Sequence, residues 1–268
     1  MAPGAETFKP VSASMPAARS SSGTVWKRRT CRTIPGRQGY RRTSGIAEFA
    51  EADQPAVLGL YDGCVKMLDE EIERHLNLLE QLGLLENTLV VLTSDHGEQL
   101  LERGAVGHSS CSLEGNLYDE NIRIPWILRC PAVLPKGKVI DRQVSQVDIM
   151  PTLFEILHLE MPGPVEGRSL VPLILGQDTD LCEEAYAETS PCGWQALDDD
   201  RRVIWCIRRP PWKLIRYFHP QAGDTYELFN LKSDPQEREN LVDSQLEVGL
   251  SLRENLNAWI AGKMRDAR

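Results

Sequence analysis

The stretch that decides the fold is Leu89-Val90-Val91-Leu92-Thr93-Ser94-Asp95-His96-Gly97-Glu98. Its first five residues are mostly types that favour a buried strand, and the polar residues and glycine that follow favour a loop. In open α/β sheets, ligands bind beyond the carboxyl ends of the strands. At such a strand end, Asp95 and His96 can both reach one ion, and a carboxylate with an imidazole suits a divalent metal. A surface turn that binds nothing is the alternative interpretation.

The residues before this strand have the spacing of an amphipathic helix. Asp62 is a candidate N-cap and Gly83 a candidate C-terminal stop. A helix followed by a strand is half of a β-α-β unit, and it predicts a parallel sheet. The apolar residues that step by three or four along one helical face are Val65, Leu68, Ile72, Leu76, Leu79 and Leu82.

A long polar segment, residues 94–121, follows the strand and is predicted to be a loop that is either functional or disordered. A second buried strand is expected at 124–128, and a helix that Asp148 caps is expected through Leu157. Pro151 is tolerated in the first turn of that helix.

The C-terminal part of the chain has a different pattern. Residues 203–207, 212–217 and 226–229 are predicted to be short antiparallel strands, and 243–263 a closing helix. Leu250, Leu252, Leu256 and Trp259 are available for its packing. The sequence therefore predicts an α/β layer followed by a small antiparallel sheet with a terminal helix.

Composition and charge limit the classes of function. The 268 residues are 41% hydrophobic with a formal net charge of −9, which argues against general binding of nucleic acid. Residues 1–45 are the exception, because they carry nine Lys or Arg residues and one acidic residue, Glu6. They predict a disordered leader, with an organelle transit peptide as the alternative.

The amino-acid composition also predicts the redox state of the thiols and the location of the protein. The seven cysteines are odd in number and contain no Cys-x-x-Cys pair, which favours reduced thiols. No apolar run is long enough for a membrane span, and no signal peptide is visible. A cytoplasmic protein is therefore expected. The predicted organisation is a leader at 1–50, an α/β core at 51–180 and an antiparallel subdomain at 181–268.

Short motifs follow one another in a definite order along residues 59–260. They are Tyr61-Asp62-Gly63, Leu68-Asp69, Thr93-Ser94-Asp95-His96-Gly97-Glu98, Gly107-His108, Leu117-Tyr118-Asp119-Glu120, Arg123-Ile124-Pro125, Val147-Asp148-Ile149-Met150-Pro151-Thr152-Leu153, Gly167-Arg168-Ser169-Leu170, Trp212-Lys213-Leu214-Ile215, Glu227-Leu228-Phe229-Asn230-Leu231 and Asp234-Pro235 with Glu237. In this order they resemble the sulfatases of the alkaline phosphatase superfamily. The resemblance implies an α/β fold with a partial alkaline-phosphatase-like sheet and flanking helices, before the antiparallel sheet and closing helix.

The resemblance also implies a chemistry. Such enzymes hydrolyse sulfate esters, or related phosphate or phosphonate esters, with one divalent cation on the ester oxygens and a formylglycine nucleophile made from Cys or Ser. By position, Asp95 and His96 would be metal ligands, with Ca²⁺ expected first and Mn²⁺ or Mg²⁺ as alternatives. His108 would be catalytic, binding the ester oxygen or protonating the departing alcohol. The expected partner is a small anionic sulfate ester, with no nucleic acid and no membrane; the oligomeric state is left open.

Two further residues of this region have open interpretations. Glu98 is either an outer-shell partner that orients His96 or a surface carboxylate. Arg123 is interpreted as structural, pairing with a nearby carboxylate. Trp194, Arg201, Arg202, Arg208 and Arg209 either line a groove for an anionic substrate or belong to sheet packing and the solvated rim.

Parts of the family pattern are missing from the sequence. The nucleophile motif, Cys or Ser followed by x-Pro-x-Arg, and an Asp-Asp pair after a first strand are absent. Thr33-Ile34-Pro35-Gly36-Arg37 has the Pro-x-Arg register with Thr in the nucleophile position, and Cys31 lies two residues too early. Asp198-Asp199-Asp200 is interpreted as a solvated turn.

The missing motifs leave three hypotheses for function. The first is a sulfuric ester hydrolase that uses Asp95, His96 and His108. The second is an inactive remnant or truncated fragment of a sulfatase, and the third is a phosphonate or phosphate ester hydrolase, based on the Asp-His pair.

Overall fold

The long helix α1 (Gln54–Gln81) leads into the strand that carries the site. It begins earlier than the sequence predicts, so Asp62 lies inside the helix and its prediction as the N-cap is wrong. Asp53 holds the N-cap position, and Pro55 fits the first turn, where no backbone donor is needed. Gly83 is confirmed as the stop, with a φ of +69°, a conformation that glycine adopts without strain.

The fold is that of a computed structural model. It describes residues 50–104, 106–108, 115–177, 183–190 and 203–266, all of which belong to one structural unit.

The predicted apolar face of α1 is only partly covered. Ile72, Leu76 and Leu79 in its C-terminal half are half-buried. Val65 and Leu68 remain exposed, as do further apolar residues on the helix. Val57, near the start of the helix, is buried, so packing holds α1 at both of its ends.

The strand β1 (Val90–Thr93) forms as predicted and pairs with β4 (Trp126–Arg129). The pairing is antiparallel, with Thr93 opposite Trp126, so the prediction of a parallel neighbour is wrong for this pair. Among the described residues between the two strands, no helix is long enough for a crossover, and β4 runs in the direction opposite to β1.

The predicted loop between these strands has structure of its own. It contains a small hairpin of β2 (Gln99–Leu100) and β3 (Val106–Gly107), followed by the one-turn helix α2 (Asp119–Ile122). These short elements present polar side chains beside the end of β1.

Asp148 holds the N-cap position of the predicted helix, α3 (Ile149–Ile156), but its side chain makes no capping hydrogen bond to that helix. Its carboxylate accepts the backbone N–H of Ser145 at 2.9 Å and that of Arg168 at 3.0 Å. Asp148 thus ties the turn before α3 to the loop that leads into α4 (Val171–Ile174).

The C-terminal sheet has four antiparallel strands in the order β5-β6-β7-β8. They are β5 (Ala185–Thr189), β6 (Val203–Arg209), β7 (Trp212–Phe218) and β8 (Thr225–Asn230). Three strands were predicted; β5 was missed because its alternation is weak. The terminal helix α5 (Leu246–Asp266) covers one face, where its Leu252 and Leu256 are fully buried against β6, β7 and β8. The α/β fold class with an antiparallel C-terminal sheet is confirmed.

Candidate metal centre and active site

Asp95 and His96 lie just beyond the end of β1, where the backbone leaves the sheet. The Asp95 side chain is 85% exposed, and its Oδ2 lies 3.6 Å from Nε2 of His96. The backbone N–H of His96 donates to Oδ1 of Asp95 at 3.0 Å. This hydrogen bond is the largest of the interactions that hold the pKa of Asp95 below its usual value. The carboxylate is therefore ionised and accessible.

The His96 ring is held in one orientation by its own backbone. Its Nδ1 lies 2.8 Å from the carbonyl oxygen of Gly97, and since a carbonyl oxygen only accepts, Nδ1 must donate. The lone pair of the neutral ring is then on Nε2, the atom that faces Asp95. A hydrogen bond that fixes the tautomer in this way is typical of metal-binding histidines.

His108 reaches the same place from the hairpin. Its ring stacks on that of His96, with the ring centroids 4.0 Å apart, and its Nδ1 lies 3.6 Å from Oε2 of Glu98. The register explains this contact: Gln99 pairs with Gly107, so the next residues outward on the two strands, Glu98 and His108, lie opposite each other. The structure thus brings Asp95, His96 and His108 together, and it places Glu98 beside His108.

Gly97 locks this loop against α2. Its backbone N–H donates to the carbonyl oxygen of Asn121 at 2.8 Å. A Cβ atom at Gly97 would lie 2.0 Å from the carbonyl oxygen of Glu120, where only a hydrogen atom fits. Glycine is therefore required for the approach of two backbones that positions His96.

A chain of hydrogen-bonded side-chain amides supports the loop that carries His96. Asn116 donates to Oε1 of the buried Gln99 at 2.9 Å, and Asn121 donates to Oδ1 of Asn116 at 2.7 Å. From the other side, Gln146 Nε2 donates to the carbonyl oxygen of Ser94 at 3.2 Å. These contacts join the hairpin, α2 and the segment before α3 around the strand end.

A buried ion cluster connects α2 to the C-terminal sheet. Lys213 of β7 is completely buried, with its Nζ 2.8 Å from Oδ1 of Asp119 and 2.7 Å from Oε1 of Glu237. The contact with Glu237 lacks hydrogen-bond alignment, so it is a charge attraction. Glu237 Oε2 instead accepts the backbone N–H of Asp119 at 2.7 Å. Arg208 adds a second cation 3.1 Å from Oδ2 of Asp119.

The two carboxylates of this cluster respond differently to burial. Burial raises the pKa of Asp119, but Lys213 and Arg208 outweigh burial and hold it below its usual value. Burial also raises the pKa of Glu237, and the attraction of Lys213 offsets this only in part. Arg208 lies 3.1 Å from Asp119, whereas the second cation beside Glu237, Arg103, is more distant at 3.7 Å, and the neighbouring Asp119 further raises the pKa of Glu237. The sequence showed these residues only as pieces of the resemblance, because partners so distant along the chain leave no local pattern.

The remaining candidates from the sequence include residues that the structure does not describe. Thr33, Cys31, Trp194, Arg201, Arg202 and Asp198-Asp199-Asp200 lie outside the described residues. Arg208 pairs with Asp119, and Arg209 Nη1 lies 3.4 Å from Oε1 of Glu184. Arg123 is exposed, and within the described residues no carboxylate forms the ion pair that was predicted for it.

Comparison with known families decides the ancestry. The family model described as Sulfatase matches residues 11–159, which is more than half of the chain. The chain belongs to the sulfatase family. A second model, N-sulphoglucosamine sulphohydrolase, C-terminal, matches residues 114–261, so the two matches together also include the antiparallel sheet and most of α5.

Relatives in the sulfatase family come from bacteria and animals. A Delta 4,5-hexuronate-2-O-sulfatase of Bacteroides thetaiotaomicron is 26% identical over 205 residues, which cover 76% of this chain and 40% of that protein. An arylsulfatase of Clostridium perfringens is 30% identical over 188 residues, covering 69% and 36%. The match therefore spans no more than about two fifths of the length of either relative.

The fold is shared with larger hydrolases of known structure. The crystal structure of a phosphonate monoester hydrolase of Agrobacterium radiobacter superimposes with a TM-score of 0.68 and 23% identity, covering 80% of this chain and 44% of that chain. At this identity the likeness concerns the fold alone. Within the described residues, no helix is both long and apolar enough to cross a membrane.

Proposed function

We propose that this sulfatase-family chain acts as a sulfuric ester hydrolase on small anionic sulfate esters, assisted by a divalent cation. The observation that carries the proposal is the convergence of Asp95, His96 and His108 at the end of β1, with 3.6 Å between Asp95 and His96 and 4.0 Å between the two rings. These are the residues that the resemblance assigns to the metal and to the leaving group.

The donors at this strand end fit a divalent cation. Asp95 offers an exposed, ionised oxygen, and the fixed tautomer of His96 leaves a lone pair on Nε2. Ca²⁺ is our first candidate, with Mn²⁺ or Mg²⁺ as alternatives. When bound, such a cation supplies charge stabilisation to the ester oxygens.

His108 is assigned to the leaving group. Its ring is about one-third exposed, so a substrate can reach it, and the Glu98 carboxylate lies 3.6 Å from its Nδ1. A protonated His108 can bind the bridging ester oxygen or give its proton to the departing alcohol. The nucleophile is not assigned, because Thr33 and Cys31 lie outside the described residues.

A second candidate reaction is hydrolysis of phosphonate or phosphate esters. It rests on the Asp95-His96 pair, because the resemblance implies Asn in the second position of many sulfatases and His in phosphatase and phosphonate hydrolase relatives. The two reactions differ in substrate and share the proposed cation.

A reducing compartment such as the cytoplasm is part of the proposal. Cys64, Cys130 and Cys206 are free thiols, and the last two are buried. Unpaired buried cysteines are usual where disulfides do not form.

The first experiment measures metal binding and turnover together. The melting temperature of the full chain is followed with Ca²⁺, Mn²⁺ or Mg²⁺, because a ligand that binds only the folded state stabilises it by roughly 2.7 kcal/mol at a hundred times its Kd. Turnover of a chromogenic aryl sulfate is compared with that of the matching aryl phosphonate. We expect cation-dependent stabilisation and cation-dependent release of the aryl alcohol from the sulfate.

Matched histidine variants make this test specific. His96→Ala should abolish the stabilisation and the turnover. His75→Ala should retain both, because His75 is an exposed histidine of α1 whose Nδ1 contacts its own helix at 2.7 Å. No response of the parent protein to any of the three cations would contradict the metal assignment. Stabilisation without turnover would support the inactive-remnant hypothesis, and a preference for the phosphonate would support the second reaction.

A further inference from the structure

The two histidines and Glu98 form a second set of ligands that the sulfatase assignment does not use as a set. One ring nitrogen each from His96 and His108 and one carboxylate oxygen of Glu98 all lie within 4.8 Å of one another. We propose that these three side chains bind Zn²⁺ or a similar borderline transition-metal ion, and that this ion competes with the cation held by Asp95 for the shared His96.

The backbone already aligns the three residues. Glu98 and His108 flank the paired residues Gln99 and Gly107 of the hairpin, and Gly97 anchors the turn between His96 and Glu98 to α2. Because these anchors are backbone contacts, the side chains can change rotamer without disturbing them. All three side chains are only partly buried, so there is space for an ion beside them.

Closing the site requires a movement of the side chains alone. Zinc bonds to nitrogen and oxygen are about 2.0–2.2 Å long, so ligand atoms around one ion are roughly 3–3.5 Å apart. The present separation of up to 4.8 Å must therefore shorten by about 1 Å or more. The two rings must also rotate out of their stacked arrangement so that their lone pairs converge. Rotation about exposed side-chain bonds costs little free energy compared with the free energy that metal binding contributes.

The chemistry of the set selects its metal. Two imidazoles with one carboxylate are a ligand set of catalytic zinc sites, in which water or substrate takes the fourth position. Ca²⁺ prefers six to eight oxygen ligands, which this set does not offer. Asp95 with His96 suits a harder cation, whereas Glu98 with both histidines suits a softer one. His96 belongs to both sets.

Sharing His96 makes the two ions mutually exclusive and gives zinc an inhibitory role. A zinc ion here removes His96 from the Asp95 site and occupies His108, the residue assigned to the leaving group. The inhibition rests on the proposed hydrolase function, whereas zinc binding itself does not.

The test is calorimetric titration of the full chain with Zn²⁺ alone and with Ca²⁺ alone, together with the visible spectrum of bound Co²⁺ as a report on coordination. Glu98→Gln and His108→Gln remove one proposed zinc ligand each and preserve side-chain size or polarity. Asp95→Asn removes only the proposed ligand of the hard cation. Circular dichroism establishes that each variant is folded.

We expect the parent chain to bind one Zn²⁺ and to give an intense four-coordinate Co²⁺ spectrum. Loss of an outer-shell partner costs roughly 10–100-fold in metal affinity, so Glu98→Gln and His108→Gln, which each remove a direct ligand, should cost at least that. Asp95→Asn should retain zinc binding. Folded Glu98→Gln and His108→Gln variants with unchanged zinc affinity would overturn the site, and so would an equal loss in Asp95→Asn.

The outcomes separate this proposal from the proposed function. Zinc binding with this pattern of variants, without any response to Ca²⁺ and without turnover, supports the zinc site and contradicts the hydrolase assignment. Ca²⁺-dependent turnover that Zn²⁺ does not inhibit, with no zinc binding by calorimetry, overturns the zinc site and leaves the hydrolase assignment standing.

Discussion

Gly97 is the residue on which the geometry of the site depends most directly. The carbonyl oxygen of Glu120 occupies the position that a side chain would need, 2.0 Å from a Cβ atom. Neither partner is a flexible side chain, so any larger residue must push two backbone segments apart. His96 and Glu98 on either side would move with this loop.

We expect Gly97→Ala to lower the free energy of unfolding by about 1–3 kcal/mol, the usual cost of overpacking a tight contact. It should also weaken cation binding, because the two neighbouring ligands move. Chemical denaturation followed by circular dichroism measures the first effect, and the cation-dependent melting shift measures the second.

Gly63 provides a matched control for this substitution. It lies in α1, and a Cβ atom there would meet nothing within 4 Å. Gly63→Ala should therefore stabilise the chain by up to about 1 kcal/mol, through helix propensity alone. If Gly97→Ala behaved like Gly63→Ala, the tight approach between the loop and α2 would be wrong.

The contacts between elements depend on the ion cluster that joins β7, α2 and the turn after β8. Lys213 is completely buried between two carboxylates. We expect Lys213→Met to cost about 3–5 kcal/mol, because it removes the only fully buried cation of the cluster, and the remaining arginines, Arg208 and Arg103, compensate the two carboxylates only in part. Denaturant unfolding measures this loss.

Lys66 is the comparison for the cluster. It pairs with Glu70 on the exposed surface of α1, where its side chain is 75% exposed. Lys66→Met should change the free energy of unfolding by no more than about 1 kcal/mol, since exposed ion pairs contribute little. Equal effects at Lys66 and Lys213 would show that burial of the cluster does not determine its strength.

The same cluster predicts the response of the fold to acid. The pKa of Asp119 lies below its usual value of 3.8, so its ionised form stabilises the fold above that pH. This contribution is lost as the pH falls through the folded-state pKa. Glu237 has the opposite sign: its pKa lies above 4.5, so its contribution is present below pH 4.5 and is lost as the pH rises.

We therefore expect the free energy of unfolding to decrease below pH 3.8 partly through Asp119. Asp119→Asn should have a shallower dependence on pH in that range, although it is less stable overall. Urea unfolding between roughly pH 5 and 2.5 measures both slopes. The same slope in both proteins would contradict the pKa assigned to Asp119.

The molecule as a whole leaves much of α1 exposed. Leu60 and Met67 lie two turns apart on this helix and are 74% and 61% exposed. Exposed apolar groups of this kind favour association when they form a contiguous patch. We expect concentration-dependent self-association of the chain, which sedimentation velocity detects.

The double variant Leu60→Glu, Met67→Glu should reduce this association with little change in melting temperature. Leu246→Glu with Leu250→Glu is the control, because it adds the same charge at two α5 positions that are 64% and 58% exposed. Equal effects of the two pairs would indicate that charge, and not the α1 surface, governs the behaviour.

Local patterns in the chain were sufficient for some of these features. The run 89–93 predicted β1, Gly83 ended α1 as expected, and the alternation of 203–229 predicted three strands of the sheet. Each depends on neighbours within a few residues, where spacing and turn chemistry act directly. The order of the motifs was sufficient for the sulfatase family, which the family models confirm.

Contacts between distant residues decided the rest. The antiparallel pairing of β1 with β4, the approach of Gly97 to Glu120 and the burial of Lys213 beside Asp119 and Glu237 join residues far apart along the chain. His108 was expected near the leaving group only through the resemblance; the hairpin register places it opposite Glu98. A sequence specifies such contacts only through the folded packing, because their free energy exists once both partners are buried together.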